Sequence, residues 1–380
     1  MKKSRRFPAA ESISRQRPAI SHWRSGLLLC ALLALTGCAQ MNYYAQATHG
    51  QSSLMAAAKP IDDLLQNPEL EPKLRQRLLT ANKIRHFAVD ELALPDNGTY
   101  QNYADLQRPY ALWNVVATPE LSMRPLQWCF PIAGCVSYRG YYSEAGAQAF
   151  AEEMRAAGND VQIMGVPAYS TLGWYKDPVL SSFINYPDAE VARLMIHELA
   201  HQIVYVQGDT QFNESFATAV EEVGVDRWLA RYGDEKARQS YVVTQERKQQ
   251  FIALLLQYRQ KLVDNYASGR TDAAKRQAKQ EIFAALQDDY KLLKASWSGH
   301  AAYDRWFAQG LTNAHLASVA TYHDQVPGFR ALLREANDFP AFYRAVIALS
   351  RLDKVQRDSQ LAALAAAAPV VLHADTAAGR

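Results

Sequence analysis

"PDAEVARLMIHELAHQIVYVQGDTQFNESFATAVEE" (Pro187–Glu222) is the stretch around which the chain is organised. Its first half sets apolar residues at helical spacing, with Pro187 near the start, where a missing N–H costs nothing. His197 and His201 stand four positions apart, so on a helix both imidazoles leave one face and reach one ion. Glu198 sits between them in sequence, near enough to touch a water at that ion. Zinc takes four ligands, and a catalytic site keeps one position for water, so two histidines need a third protein ligand. Past a "QGDT" turn (Gln207–Thr210), "FNESFATAVEE" (Phe212–Glu222) reads as a second helix running from a cap at Asn213 to about Arg231. Glu214, at its start, is the candidate. The plainer alternatives are two satisfied core histidines and a first-turn acid that suits the helix dipole.

"HELAHQ" (His197–Gln202) and "NESFATAVE" (Asn213–Glu221) resemble the paired signatures of gluzincin aminopeptidases. The closer resemblance is to a family of bacterial proteins, often lipoproteins, classed as zinc-dependent aminopeptidases, and it extends to "LGWYKDPVL" (Leu172–Leu180). It implies a zincin-like fold and one zinc per chain, held by His197, His201 and Glu214. It also implies Glu198 as the general base that takes a proton from the attacking water. Asp209 or Glu221 would hold an imidazole N–H from behind. Related enzymes place an oxyanion donor downstream, and "LTNAHLASVATYHDQVPGF" (Leu311–Phe329) offers His315, Tyr322 and His323, with Tyr322 favoured. Two departures stand out. The gap between His201 and Glu214 is shorter than in aminopeptidase N, and "GWYKD" (Gly173–Asp177) lacks the glutamate of that family's "GAMEN". Asp177 or Glu190 is left to bind a substrate amine, or "STLGWY" (Ser170–Tyr175) pairs with substrate as an edge strand.

The N-terminus sets the expected location. A basic stretch leads into "GLLLCALLAL" (Gly26–Leu35), too short for a stable span and of signal-peptide length. "LTGC" (Leu35–Cys38) resembles a lipobox, which implies a lipid on Cys38. Ala39 after it implies the outer membrane, with the protein facing the periplasm. Residues 1–37 hold seven basic side chains and one acidic, so removing them turns the formal +3 of the whole chain into about −3. No basic stripe remains for nucleic acid. In an oxidising compartment Cys129 and Cys135, in "WCFPIAGC", favour a disulfide over free thiols.

The expected fold class is α+β, with a small mixed sheet and an active-site helix followed by a mainly α-helical part. The expected spans are a signal peptide at 1–37, a lipidated tether at 38–60 and the catalytic domain at 61–235. Helices follow at 236–368 and a tail at 369–380. Ser143 caps a helix to Gly158, "DVQIMGV" (Asp160–Val166) is a strand, "YSTLGWY" (Tyr169–Tyr175) another, and "ASGRTD" (Ala267–Asp272) turns two long helices back on each other. The function that follows is a lipid-anchored zinc aminopeptidase with a peptide substrate. The alternatives are a zinc amidase or endopeptidase acting on cell-wall peptides, and a non-catalytic envelope protein whose charged helix (Gln245–Tyr266) meets a partner.

Overall fold

The computed structural model describes residues 41–130, 134–319 and 325–367. The chain divides into two units, Met1–His49 and Gly50–Arg380. In the first, residues 41–49 are helical. The lipidation site Cys38 and the leader before it lie outside the described residues.

The second unit opens with a helix, α1 (50–57), then β1 (Ala58–Pro60), α2 (Ile61–Gln66) and α3 (Pro72–Leu92). The expected tether at 38–60 is therefore structured from residue 41 onward. Leu54 there is apolar and buried, so ordering α1 removes it from water. Pro72 takes the first position of α3, where the Glu71 side chain accepts from the Leu74 N–H. Leu78, Ala81, Ile84 and Ala88 on this helix are fully buried and share one face.

Two small sheets follow. In one, β2 (Asn102–Ala104) pairs antiparallel with β1 and parallel with β8 (Val179–Leu180). In the other, β3 (Leu112–Pro119) lies between β6 (Arg139–Tyr141) and β7 (Asn159–Val166), antiparallel to both. The hairpin of β4 (Trp128–Phe130) and β5 (Gly134–Val136) sets Cys129 opposite Cys135, and a disulfide joins them. Helix α4 (Glu144–Ala156), capped by Ser143, covers β3 and β7 and packs Phe150 against Trp128 and Tyr141.

"YSTLGWY" forms no strand. Leu172 and Gly173 take left-handed backbone, with φ of 56° and 80°. Thr171 Oγ1 accepts the Tyr175 N–H and Thr171 O accepts that of Trp174, which closes the segment into a loop. A ring of local bonds leaves no edge for a substrate strand.

The motif helices are α5 (Asp188–Ala200) and α6 (Thr210–Tyr232). A Cβ on Gly224 would lie 2.8 Å from Leu92 Cδ1 and 3.0 Å from Ile196 Cδ1, so only glycine lets α6 approach α3 and α5 this closely. Beyond them come the long hairpin α7 (Glu235–Ala267) and α8 (Asp272–Ser296), then short α9 (Asp304–Phe307) and α10 (Asn313–Ala317). The described chain ends with α11 (Val326–Ala336), α12 (Phe339–Ser350) and α13 (Lys354–Ala367).

Two clusters hold most of the buried apolar side chains, and they do not follow the 235/236 division. One joins α3, α5 and α6 to α11–α13, where Phe216 meets the rings of Phe329, Phe342 and Tyr343. The other is built from α7–α10, with Met123 from the loop after β3. The last three helices thus return to the motif, because α6 carries aromatic residues on a face that α5 does not cover.

Candidate metal centre

His197 lies in the last turn of α5, and the helix closes one residue before His201, which is its C-cap. The chain then turns through 201–208, and Asp209 caps α6 by accepting from the Phe212 N–H. Asn213 is not the cap. It lies in the first turn, 1% exposed, where its Oδ1 accepts from Val206 N–H (2.7 Å) and its Nδ2 donates to Val206 O (2.9 Å). That pair of bonds fixes the connecting loop to α6 and so sets the height of the next residue, Glu214.

The result is a three-donor cluster. His197 Nε2 lies 3.2 Å from His201 Nε2 and 3.3 Å from Glu214 Oε2, and His201 Nε2 lies 3.8 Å from that oxygen. One donor from each residue can be chosen with all three within 4.8 Å. Ligands about 2.0–2.1 Å from a tetrahedral ion stand roughly 3.3–3.4 Å apart. The three measured separations bracket that value, so the residues fit a small tetrahedral cation with one position open.

A row of charges supports His197 from behind. Its Nδ1 is 2.7 Å from Glu221 Oε2, and a carboxylate can only accept, so Nδ1 carries a proton and Nε2 faces the cluster. Glu221, 3% exposed, also meets Arg193 Nη1 at 3.4 Å, and Arg193 Nε donates to Glu190 Oε2 at 2.7 Å. Burial would raise Glu221, but Arg193 first and then His197 hold it down to about 2. Burial also pulls His197 down, yet Glu214 and Glu221 outweigh it and raise the imidazole to about 10. His201 has no such partner at Nδ1 among the described residues, and burial takes it to about 4. Burial lifts Glu198 to about 7, with His197 opposing and Glu214, Asp177 and Glu221 adding to it. A buried carboxylate that readily takes up a proton suits a general base.

The other sequence candidates divide. Glu221 holds an imidazole N–H, as one of the two expected residues. Asp209 does not: besides capping α6, it accepts from Arg357 Nη2 (2.7 Å) and Lys354 Nζ (3.3 Å) of α13. It joins the last helix to the motif and is turned away from the imidazoles by those bonds. Asp177 accepts from the Thr171 N–H (2.8 Å) and Oγ1–H (2.9 Å). Glu190 is taken up by Arg193. Tyr322 and His323 lie outside the described residues. His315 is in the capping box of α10 with Thr312 and against the Trp306 ring, within the second cluster. Its Nδ1 accepts from the Thr312 N–H, which is a structural task.

Three residues that sequence reading passed over complete the surroundings. Arg193 precedes His197 by one helical turn, a spacing that could have flagged it. Gln202, directly after His201, accepts from Asn97 Nδ2 (2.6 Å) and donates to Thr99 Oγ1 (3.2 Å). Tyr100 follows, 2% exposed, with φ of 63°, and its N–H donates to the Asp177 carbonyl at 2.7 Å. Glu198 and Asp177 both act on its hydroxyl, and burial above all raises it well above the usual tyrosine range, so it keeps its proton. No local signal in the sequence joins residue 100 to residue 198.

A protein-family model described as "Putative aminopeptidase" matches residues 42–361. The chain belongs to this family. The match takes in both motif helices, α11, α12 and the first half of α13. No curated protein and no solved structure matches the chain.

Proposed function

We propose that this aminopeptidase-family chain is a zinc metallopeptidase of zincin-like fold that removes residues from the amino end of peptides. The observation that carries the reading is the spacing of His197 Nε2, His201 Nε2 and Glu214 Oε2, which suits tetrahedral zinc with a free position. Zinc in that cluster would act as a Lewis acid toward the scissile carbonyl and make water a better nucleophile. Glu198 takes the proton from the attacking water and hands it to the leaving amine. Glu221, held in place by Arg193, keeps the His197 ring oriented and its Nδ1 protonated. Asn213 holds the loop that sets Glu214 opposite the histidines.

The setting is part of the proposal. A lipid on Cys38 would tether the chain to the outer membrane, facing the periplasm, where peptides are the substrate. Radiolabelled palmitate should enter the wild-type chain and not Cys38→Ala.

The deciding experiment measures zinc content and cleavage of a mixed peptide library, with Glu198→Gln as control. One zinc per chain and stepwise loss of N-terminal residues are expected, with the metal kept and cleavage lost in the variant. A folded chain without metal affinity, or undiminished cleavage by Glu198→Gln, would overturn the reading. Cleavage of wall peptides alone would move it to a wall amidase.

A further inference from the structure

A cavity of about 590 Å³ opens at the start of α5, the end away from His197 and His201. Its volume falls within the roughly 300–1,000 Å³ of small-molecule sites. One face of α3, with Leu79 and Thr80, and one face of α7, with Ala237 and Ser240, form its sides. Trp228 and Tyr241 line it as well, 3% and 8% exposed, so it reaches down to buried side chains.

Three carboxylates of the described residues line this cavity, and each has one oxygen already engaged. Asp188 Oδ1 pairs with Arg77, and Glu190 Oε2 accepts from Arg193 Nε at 2.7 Å. Asp234 Oδ1 caps α7 by accepting from the Ala237 N–H at 2.7 Å. The second oxygen of each has no hydrogen-bond partner among the described residues. With a guanidinium or a helix N-terminus beside them, these groups are not short of positive charge. What the remaining oxygens can still take is a neutral donor, while an anion is repelled by all three.

Tyr241 adds the buried polar group. Its hydroxyl has no hydrogen-bond partner among the described residues, and it is not sealed in by protein, so the cavity is the space where it can bond. Burial first, and then Asp226, Glu221 and Glu190, raise its pKa, so it keeps its proton and can donate. The side chains of Gln76, Thr80 and Ser240 are equally without partners among the described residues. Between these polar groups lie apolar surfaces. The rings of Trp228 and Tyr232 have centroids 4.5 Å apart, and Lys83 Nζ lies 3.8 Å from that of Tyr232. A ring already facing an ammonium has less to gain from a cationic ligand. An uncharged molecule with many hydroxyls and C–H faces between them meets each of these groups, and that is a saccharide.

We propose that the cavity at the start of α5 binds a neutral saccharide. Its hydroxyls bond to Tyr241 and to the unpaired oxygens of Asp188, Glu190 and Asp234, and its ring faces lie on Tyr232 and Leu79. The site is separate from the metal centre and does not depend on the peptidase reading. Glu190 stands seven positions before His197, about 10 Å along α5, so one helix carries a sugar site at its start and the metal ligands at its end. Such a chain would be retained on glycan-bearing material while the metal centre stays free.

The test titrates the zinc-loaded full chain with cellobiose, maltose, lactose and N,N′-diacetylchitobiose. Binding is read by calorimetry and by protein fluorescence, since Trp228 lines the site. At least one disaccharide should bind with millimolar or tighter affinity, and should still bind after a chelator has removed the metal. Ala237→Trp, at an exposed position of α7, fills the cavity and should weaken binding at least about 10-fold. Tyr241→Phe keeps the ring and should weaken it about 2- to 10-fold, the worth of one hydrogen bond, which covers the case in which the tryptophan is not tolerated. Failure of all four disaccharides to bind would overturn the proposal. So would binding that survives Ala237→Trp in a folded protein, or that is lost with the metal. Benzylamine or benzoate held in the same cavity more tightly than every disaccharide would overturn it too, since the site would then be reading charge. Peptide cleavage decides the metallopeptidase reading alone, and each result stands without the other.

Discussion

The two apolar clusters of the second unit treat charge in opposite ways. The cluster of α3, α5, α6 and α11–α13 takes ionised groups inside it: Glu221 and Asp209 are 3% and 4% exposed, and Arg357 is 5%. The cluster of α7–α10 keeps its carboxylates nearer the rim, where Tyr258 donates to Asp289 and Tyr290 to Asp304. An ionised group inside a protein is tolerated only when partners surround it, and those partners then fix its geometry. The first cluster spends apolar packing to hold a rigid arrangement of donors. The second is a helical hairpin of the ordinary amphipathic kind, with nothing in it that needs such precision.

Five substitutions probe that contrast, taken in order of expected effect. Phe216→Ala removes a fully buried ring that α11 and α12 pack against, and should cost about 3–5 kcal/mol in denaturant unfolding. It should also weaken metal binding, because α6 carries Glu214. Phe251→Ala in the second cluster should cost stability and leave metal binding alone. Equal metal loss from both would mean that the two clusters are not separate in function.

Glu221→Gln should lower metal affinity about 10- to 100-fold in a chelator competition, since the imidazole loses the group that orients it. Unchanged affinity would reduce Glu221 to a partner of Arg193. The Asp209–Arg357 pair should shape the acid limb of stability. Burial would raise Asp209, but Arg357, Lys354 and the Phe212 N–H hold it below its ordinary 3.8. As pH falls, the unfolded chain is therefore protonated first, and stability present above pH 3.8 is lost through the lower folded value. Arg357→Met should flatten that limb in thermal melts recorded from about pH 5 down to about pH 2. Tyr258→Phe, last, should cost about 1 kcal/mol and leave metal content untouched.

Much of this was legible in the chain itself. Ser143 before α4, Pro187 before α5 and the "ASGRTD" turn between α7 and α8 are local signals, and the helices begin and turn where those residues stand. His197, His201 and Glu214 could be chosen because four-residue spacing makes the first two neighbours on any helix. The errors arose where a distant partner decides. Asn213 looks like a cap, but Val206 claims its side chain. Asp209 looks like a support for an imidazole, but α13, some 145 residues later, provides Arg357 and Lys354. "YSTLGWY" has strand composition, but Thr171 folds it into a loop.

Sequence alone determined the groups on offer: two imidazoles one turn apart, a carboxylate between them, and a second carboxylate a short loop away. Those are consequences of helical periodicity, which is local and the same in every fold. Tertiary structure alone decided which acid would be neutralised and which left free. Glu221 received Arg193 and His197, Asp209 received α13, and Asp177 received no cation among the described residues. That outcome depends on burial and on partners brought in from far along the chain, and no spacing in the sequence encodes either.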